Sequence, residues 1–123
     1  MTAARDAEII SGLNLNLIYA INTHVHRDHI SGTHKLRSYF PQLKTGLGSA
    51  AKNAKSDEKF THLQILNVGD ISLEARHTPG HTKGCVTYVE HGLGLAFTGD
   101  TVLIRGCGRT DFQEGREDTK EKG

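Results

Sequence analysis

The chain has 123 residues, enough for one domain with a real but modest core, not for two. Fifteen Lys and Arg stand against fourteen Asp and Glu, so no charge excess speaks for nucleic acid or a membrane surface, and a small-molecule partner is expected. No run approaches the ~20 apolar residues that span a bilayer, and MTAARDAEII offers neither an apolar signal core nor, with Asp6 and Glu8 so early, a transit peptide; a soluble protein without a visible import signal is expected.

In chain order, Asp6 to Ser11 with Gly12 behind it reads as the last turns of a helix with a glycine cap. Leu13, Leu15 and Leu17 alternate with Asn14 and Asn16 and run into a strand over 18–21, more buried towards Asn22 and Thr23. A histidine-rich loop follows. Residues 30–40 carry Leu36, Tyr39 and Phe40 at helical spacing, and Pro41 stops that helix. The polar, lysine-rich stretch 46–59 reads as a surface helix or loop. Four strand-like runs follow, 63–66, 71–77, 85–89 and 93–98, parted by Val68-Gly69-Asp70, Pro79-Gly80 and His91-Gly92, which predicts a meander. From Glu114 on there is no apolar periodicity, giving a domain over 1–115 and a polar, disordered tail over 116–123. Cys85 and Cys107 form no disulfide framework and read as free thiols of a reducing compartment.

Chemistry concentrates in three clusters, each ending a predicted strand: His24-Val25-His26-Arg27-Asp28-His29, His81 within His77-Thr78-Pro79-Gly80-His81-Thr82, and Asp100 within Phe97-Thr98-Gly99-Asp100. Imidazole and carboxylate suit zinc or iron, and strand-end loops can aim them inward from fixed positions. Alternation lets His24 and His26 point the same way, and the following turn swings Asp28 and His29 around. Gly80 and Gly99 allow the backbone to approach an ion. A structural zinc site is closed by four ligands that usually include cysteine, whereas the surplus of histidine and aspartate favours an open, catalytic site. His34, His62 and His91 are isolated and read as ordinary histidines. His77, just before Thr78-Pro79, reads as a hydrogen-bonding residue that shapes the turn.

The segments THVHRDH, HTPGHT and FTGD, in that order, resemble the metallo-β-lactamase superfamily, and the resemblance runs from Asp6 to Gly115. It implies an α/β fold, a four-layer αββα sandwich, and a partial one: members are longer, with strands before the position of Met1 and a further αβ half after Gly115. A fragment with poor turnover of its own is therefore expected. Within the superfamily, Cys85 in GHTKGCVTYV stands where glyoxalase II usually has a histidine, and AFTGDTVLIRGCGRTDFQEG looks like the persulfide dioxygenases.

That likeness implies iron-dependent oxidation of glutathione persulfide by dioxygen to sulfite and glutathione. One Fe(II) per chain would be held by His24, His81 and Asp100, with its other positions open. His26, Asp28 and His29, which complete the sites of two-metal relatives, would here orient ligands or move protons, or form a second metal site. Arg109 is implied to grip the glutathione end of the substrate. Cys85 reads as core; Cys107 reads as redox-sensitive or merely small in a tight loop. The likeness also implies the mitochondrial matrix, with the cytoplasm as the other compartment, and leaves a homodimer open. Two further readings stand beside it: a glyoxalase II-type thioester hydrolase using zinc, and a non-catalytic metal-binding fragment.

Overall fold

Residues 2–26 and 32–111 are described by a computed structural model. Asp28, His29, the beginning of the helix expected over 30–40 and the tail expected over 116–123 lie outside the described residues.

Helix α1 (Ala3–Gly12) starts where the Thr2 hydroxyl accepts from the Arg5 amide at 3.4 Å. Gly12 is its last residue and not the cap expected there. Asn14 takes the left-handed conformation, φ 53°, its amide donates to Ser11 O (3.0 Å), and the Leu15 amide donates to Ile10 O (3.1 Å). This is a Schellman closure with Asn in the place of the usual Gly, because the short polar side chain tolerates that backbone. The same turn breaks the Leu/Asn alternation: Leu13 and Leu15 are exposed, and strand β1 is short, Tyr19–Ile21.

After α2 (Gly32–Leu36) come β2 (Lys44–Gly48) and β3 (Glu58–Phe60), which pair in parallel with β1 in the order β1-β2-β3. The expectation of a surface helix or loop over 46–59 is therefore wrong at both ends. Strand character was hidden because this stretch meets its neighbours with glycine, not with an apolar alternation. A Cβ on Gly46 would lie 2.5 Å from the Phe60 ring, and one on Gly48 would lie 2.8 Å from Gly84 O. Only Gly permits so close an approach.

The second sheet is the expected meander, β4 (Gln64–Val68), β5 (Ile71–His77), β6 (Val86–Glu90) and β7 (Leu95–Phe97), antiparallel throughout. Gly69, φ 58°, begins the two-residue turn that puts Val68 opposite Ile71, a turn that requires positive φ. The core lies between the sheets: Phe60, Tyr19 and Ile21 from one meet Leu66, Ala75, Val86 and Tyr88 from the other. The Phe60 and Tyr88 rings meet edge to face at 5.9 Å. Buried Tyr88 donates its hydroxyl hydrogen to Asn22 O (3.0 Å), and burial pushes its pKa upward. The Val86 amide donates to Thr23 O (2.8 Å). Those two bonds join the end of β1 to β6 and fix the chain one residue before His24. Among the described residues no helix is long and apolar enough to cross a membrane.

Candidate metal centre

Three strand-end loops converge. The loop after β1 brings His24 and His26, the loop after β5 brings His81, and a 3-10 turn after β7, Gly99–Thr101, brings Asp100. One donor atom from each of the four lies within 4.8 Å of the others. His24 Nε2 is 3.5 Å from Asp100 Oδ2, His81 Nε2 is 3.3 Å from the same oxygen, and the Nε2 atoms of His81 and His26 are 3.1 Å apart. Donors about 2.0–2.1 Å from one ion stand roughly 3.0–3.4 Å from each other, so these distances fit a shared cation. The donor set of imidazole nitrogen and carboxylate oxygen fits zinc or iron equally.

Burial lowers the pKa of His24, and neighbouring His26 and His81 lower it further, against the opposing pull of Asp100. The ring is therefore neutral at neutral pH, the form that offers a lone pair. Its Nδ1 meets the Thr23 hydroxyl at 3.0 Å. His81 Nδ1 donates to Arg109 O at 2.9 Å; a carbonyl only accepts, so the proton sits on Nδ1 and Nε2 faces the cluster with its lone pair.

Two glycines let the backbone close around these groups. Gly99 has φ 52°, and a Cβ there would lie 2.8 Å from Thr23 Cβ and 3.3 Å from His24 Nδ1. The Gly108 amide donates to Asp100 O (2.6 Å), and a Cβ on Gly108 would lie 2.9 Å from His81 Nδ1. Gly99 thus lies against the Thr23 and His24 side chains, whereas a Cβ on Gly80 would meet nothing within 4 Å.

The structure brings together His24, His26, His81 and Asp100. His26 stands among the donors on the same terms as the other three. Arg109 is beside the site through its carbonyl, while its exposed guanidinium pairs with Asp111, Nε to Oδ1 at 2.9 Å, and that contact holds the Asp111 carboxyl below its ordinary range. His77 shapes its turn as expected, with Nε2 donating to Lys83 O at 2.8 Å. His62 Nδ1 accepts from the His77 amide, and His91 lies 3.4 Å from Glu74. Cys85 is buried beside Thr82, Cys107 is exposed, and both are free thiols. Sequence reasoning missed Thr23, Gly108 and the Arg109 carbonyl. For the first, the signal was a hydroxyl directly beside a candidate ligand histidine; the other two contacts join residues 27 or 28 positions from His81 and leave no local trace.

A sequence profile of the metallo-beta-lactamase superfamily matches residues 1–122. The chain is 50% identical over 114 residues to the mitochondrial persulfide dioxygenase ETHE1 of Mus musculus, which covers 93% of this chain and 44% of the relative. It is 39% identical over 103 residues to the probable hydroxyacylglutathione hydrolase glo2 of Schizosaccharomyces pombe, 82% of this chain and 39% of the relative. The chain thus spans less than half the length of these curated relatives. Among solved structures, ETHE1 from Myxococcus xanthus matches with a TM-score of 0.79 at 35% identity, over 89% of this chain and 47% of that one. The BLEG-1 B3 metallo-beta-lactamase matches at 0.77 and 25% identity, over 90% and 63%. The paired sheets with their helices are therefore part of that fold. With its histidines and aspartate gathered at the strand ends and a family match over almost its whole length, the chain belongs to the metallo-beta-lactamase superfamily.

Proposed function

We propose that the protein to which these residues belong oxidises glutathione persulfide with dioxygen to sulfite and glutathione, with one iron(II) held by His24, His81 and Asp100. The observation that carries this is the convergence of those three side chains in a chain 48–50% identical to persulfide dioxygenases, against 30–39% for hydroxyacylglutathione hydrolases. Two nitrogens and one oxygen would hold the ion and leave its other coordination positions for substrate. Bound there, iron(II) supplies the redox chemistry that joins dioxygen to sulfur.

The overall balance is RSSH plus dioxygen plus water giving RSH, sulfite and two protons. The outer sulfur is oxidised, dioxygen is reduced and the sulfur–sulfur bond breaks. The chain's own residues hold and orient. His26, with Nε2 3.1 Å from His81 Nε2, can hold or release a proton at that atom beside the site. The Arg109 guanidinium exchanges Asp111 for a glutathione carboxylate, a swap of one planar two-point partner for another. Because the Arg109–Asp111 pair is exposed, breaking it costs little. Curated relatives named as mitochondrial support the mitochondrion as the compartment.

One observation favours a second reading. His26 joins the cluster, and three histidines with one carboxylate also suit a zinc hydroxide that attacks a thioester. Iron-loaded and zinc-loaded protein should be assayed side by side for oxygen uptake with glutathione persulfide and for hydrolysis of S-lactoylglutathione. Oxygen uptake confined to the iron form is expected. Hydrolysis by the zinc form without oxygen uptake by the iron form would replace the dioxygenase reading, and metal retention with neither activity would leave a binding fragment.

A further inference from the structure

We infer that Thr23 is a positioning residue of the metal centre: its hydroxyl, pressed against Gly99, accepts the Nδ1 proton of His24 and keeps Nε2 of that ring turned towards Asp100 and the metal. This rests on the metal reading given above and adds a residue to it.

A neutral imidazole carries one proton, and the partner of one nitrogen decides which of the two can bind an ion. For His81 the partner is the Arg109 carbonyl, which can only accept. For His24 the partner is a side chain, Thr23 Oγ1 at 3.0 Å, from the residue directly before it. Such a contact needs the Thr23 side chain to be held still, and three features hold it. The main chain is pinned where Thr23 O accepts from the Val86 amide at 2.8 Å. Branching at Cβ limits the side chain to few rotamers. The backbone of Gly99 packs onto the bond itself, since a Cβ there would lie 2.8 Å from Thr23 Cβ, 3.3 Å from His24 Nδ1 and closer still to Thr23 Oγ1.

A hydroxyl also does what a carbonyl cannot, because it can reverse its role. With the hydroxyl donating to Nδ1, the His24 proton sits on Nε2 and faces Asp100 Oδ2 at 3.5 Å; with the hydroxyl accepting, Nε2 is freed for the metal. Thr23 thus holds the ring in one orientation in both states of the site.

The test is Co(II) binding to the full 123-residue chain and to T23V, T23S and D100A, by chelator competition, with the visible absorption of the bound Co(II) and the melting temperature of each metal-free protein recorded alongside. T23V keeps the branched shape without the hydroxyl. It should bind Co(II) about 10–100-fold more weakly, with an altered visible spectrum and an unchanged metal-free melting temperature, and T23S should restore the unaltered behaviour. Should T23V not fold, T23A against T23S makes the same comparison. Unchanged affinity and spectrum in T23V, or T23S as weak as T23V, would overturn the role of the hydroxyl. An unaltered chain that binds no better than D100A would instead overturn the metal reading itself, and this inference with it.

Discussion

At the scale of single residues, the four donors are not equivalent. Asp100 alone brings negative charge, lying 3.3 Å from His81 Nε2 and 3.5 Å from His24 Nε2, and it is the oxygen both rings share. His26 stands among the same donors, with Nε2 3.1 Å from His81 Nε2, and lies outside the proposed triad. His24→Ala should therefore remove both metal and activity, whereas His26→Ala should lower activity by about 10–100-fold while most of the iron stays. Metal analysis and oxygen uptake on the two variants check this, and equal loss of metal would make His26 a ligand. His24, His26, His81 and Asp100 were legible in the sequence because each sits in a short motif at the end of a strand, where a side chain's direction follows from alternation. Gly108 and the Arg109 carbonyl were not, because backbone partners carry no residue-type signature of metal chemistry, and Thr23 was marked only by its place beside His24. The Arg109 guanidinium was expected on a substrate carboxylate, and here a neighbouring carboxylate, Asp111, fills that role.

At the scale of elements, the meander of β4 to β7 was legible from its apolar runs and turn residues, whereas β2 and β3 were not. Their packing uses absence of side chain at Gly46 and Gly48, and their connection is fastened by polar groups. Asp57 accepts from the Thr45 amide (2.7 Å) and the Thr45 hydroxyl (3.0 Å) and pairs with Arg37. These contacts, the Thr45 amide first, hold the Asp57 carboxyl below its ordinary range. A depressed folded-state pKa means that the stabilisation is present above the unfolded value and is lost as pH falls through the folded one. Asp57→Asn should thus be less stable than the unaltered chain near neutrality, and the gap should close below about pH 4. Thermal melts at pH 7, 5 and 3 test it, and a gap that widens at low pH would contradict the clamp. The gap itself should be small, since Asp57 is solvent-exposed.

At the scale of the whole molecule, the face between the sheets is well filled, but large apolar side chains remain outside it. Leu93, Phe97, Val102 and Ile104 are 72%, 55%, 58% and 97% exposed; Phe97 is on β7, the last strand of its sheet among the described residues, Leu93 precedes it and the other two follow the turn that carries Asp100. Exposed apolar surface of this kind favours association and a loosened neighbouring loop. Since the chain spans less than half of its curated relatives, a version extended at both ends to their length should consume oxygen with glutathione persulfide much faster than the 123 residues alone. An oxygen electrode decides, with both proteins iron-loaded and folded, and equal rates would show that these residues already form a complete catalyst. Central to all of this is the proposed single metal ion on His24, His81 and Asp100. Elemental analysis of the chain purified without added metal, beside Asp100→Ala, tests that directly. About one iron per chain, lost in the variant, is the expected result, because two imidazoles without the carboxylate keep too little charge to hold iron(II) against water. Two zinc ions per chain, or metal content unchanged by loss of Asp100, would contradict it.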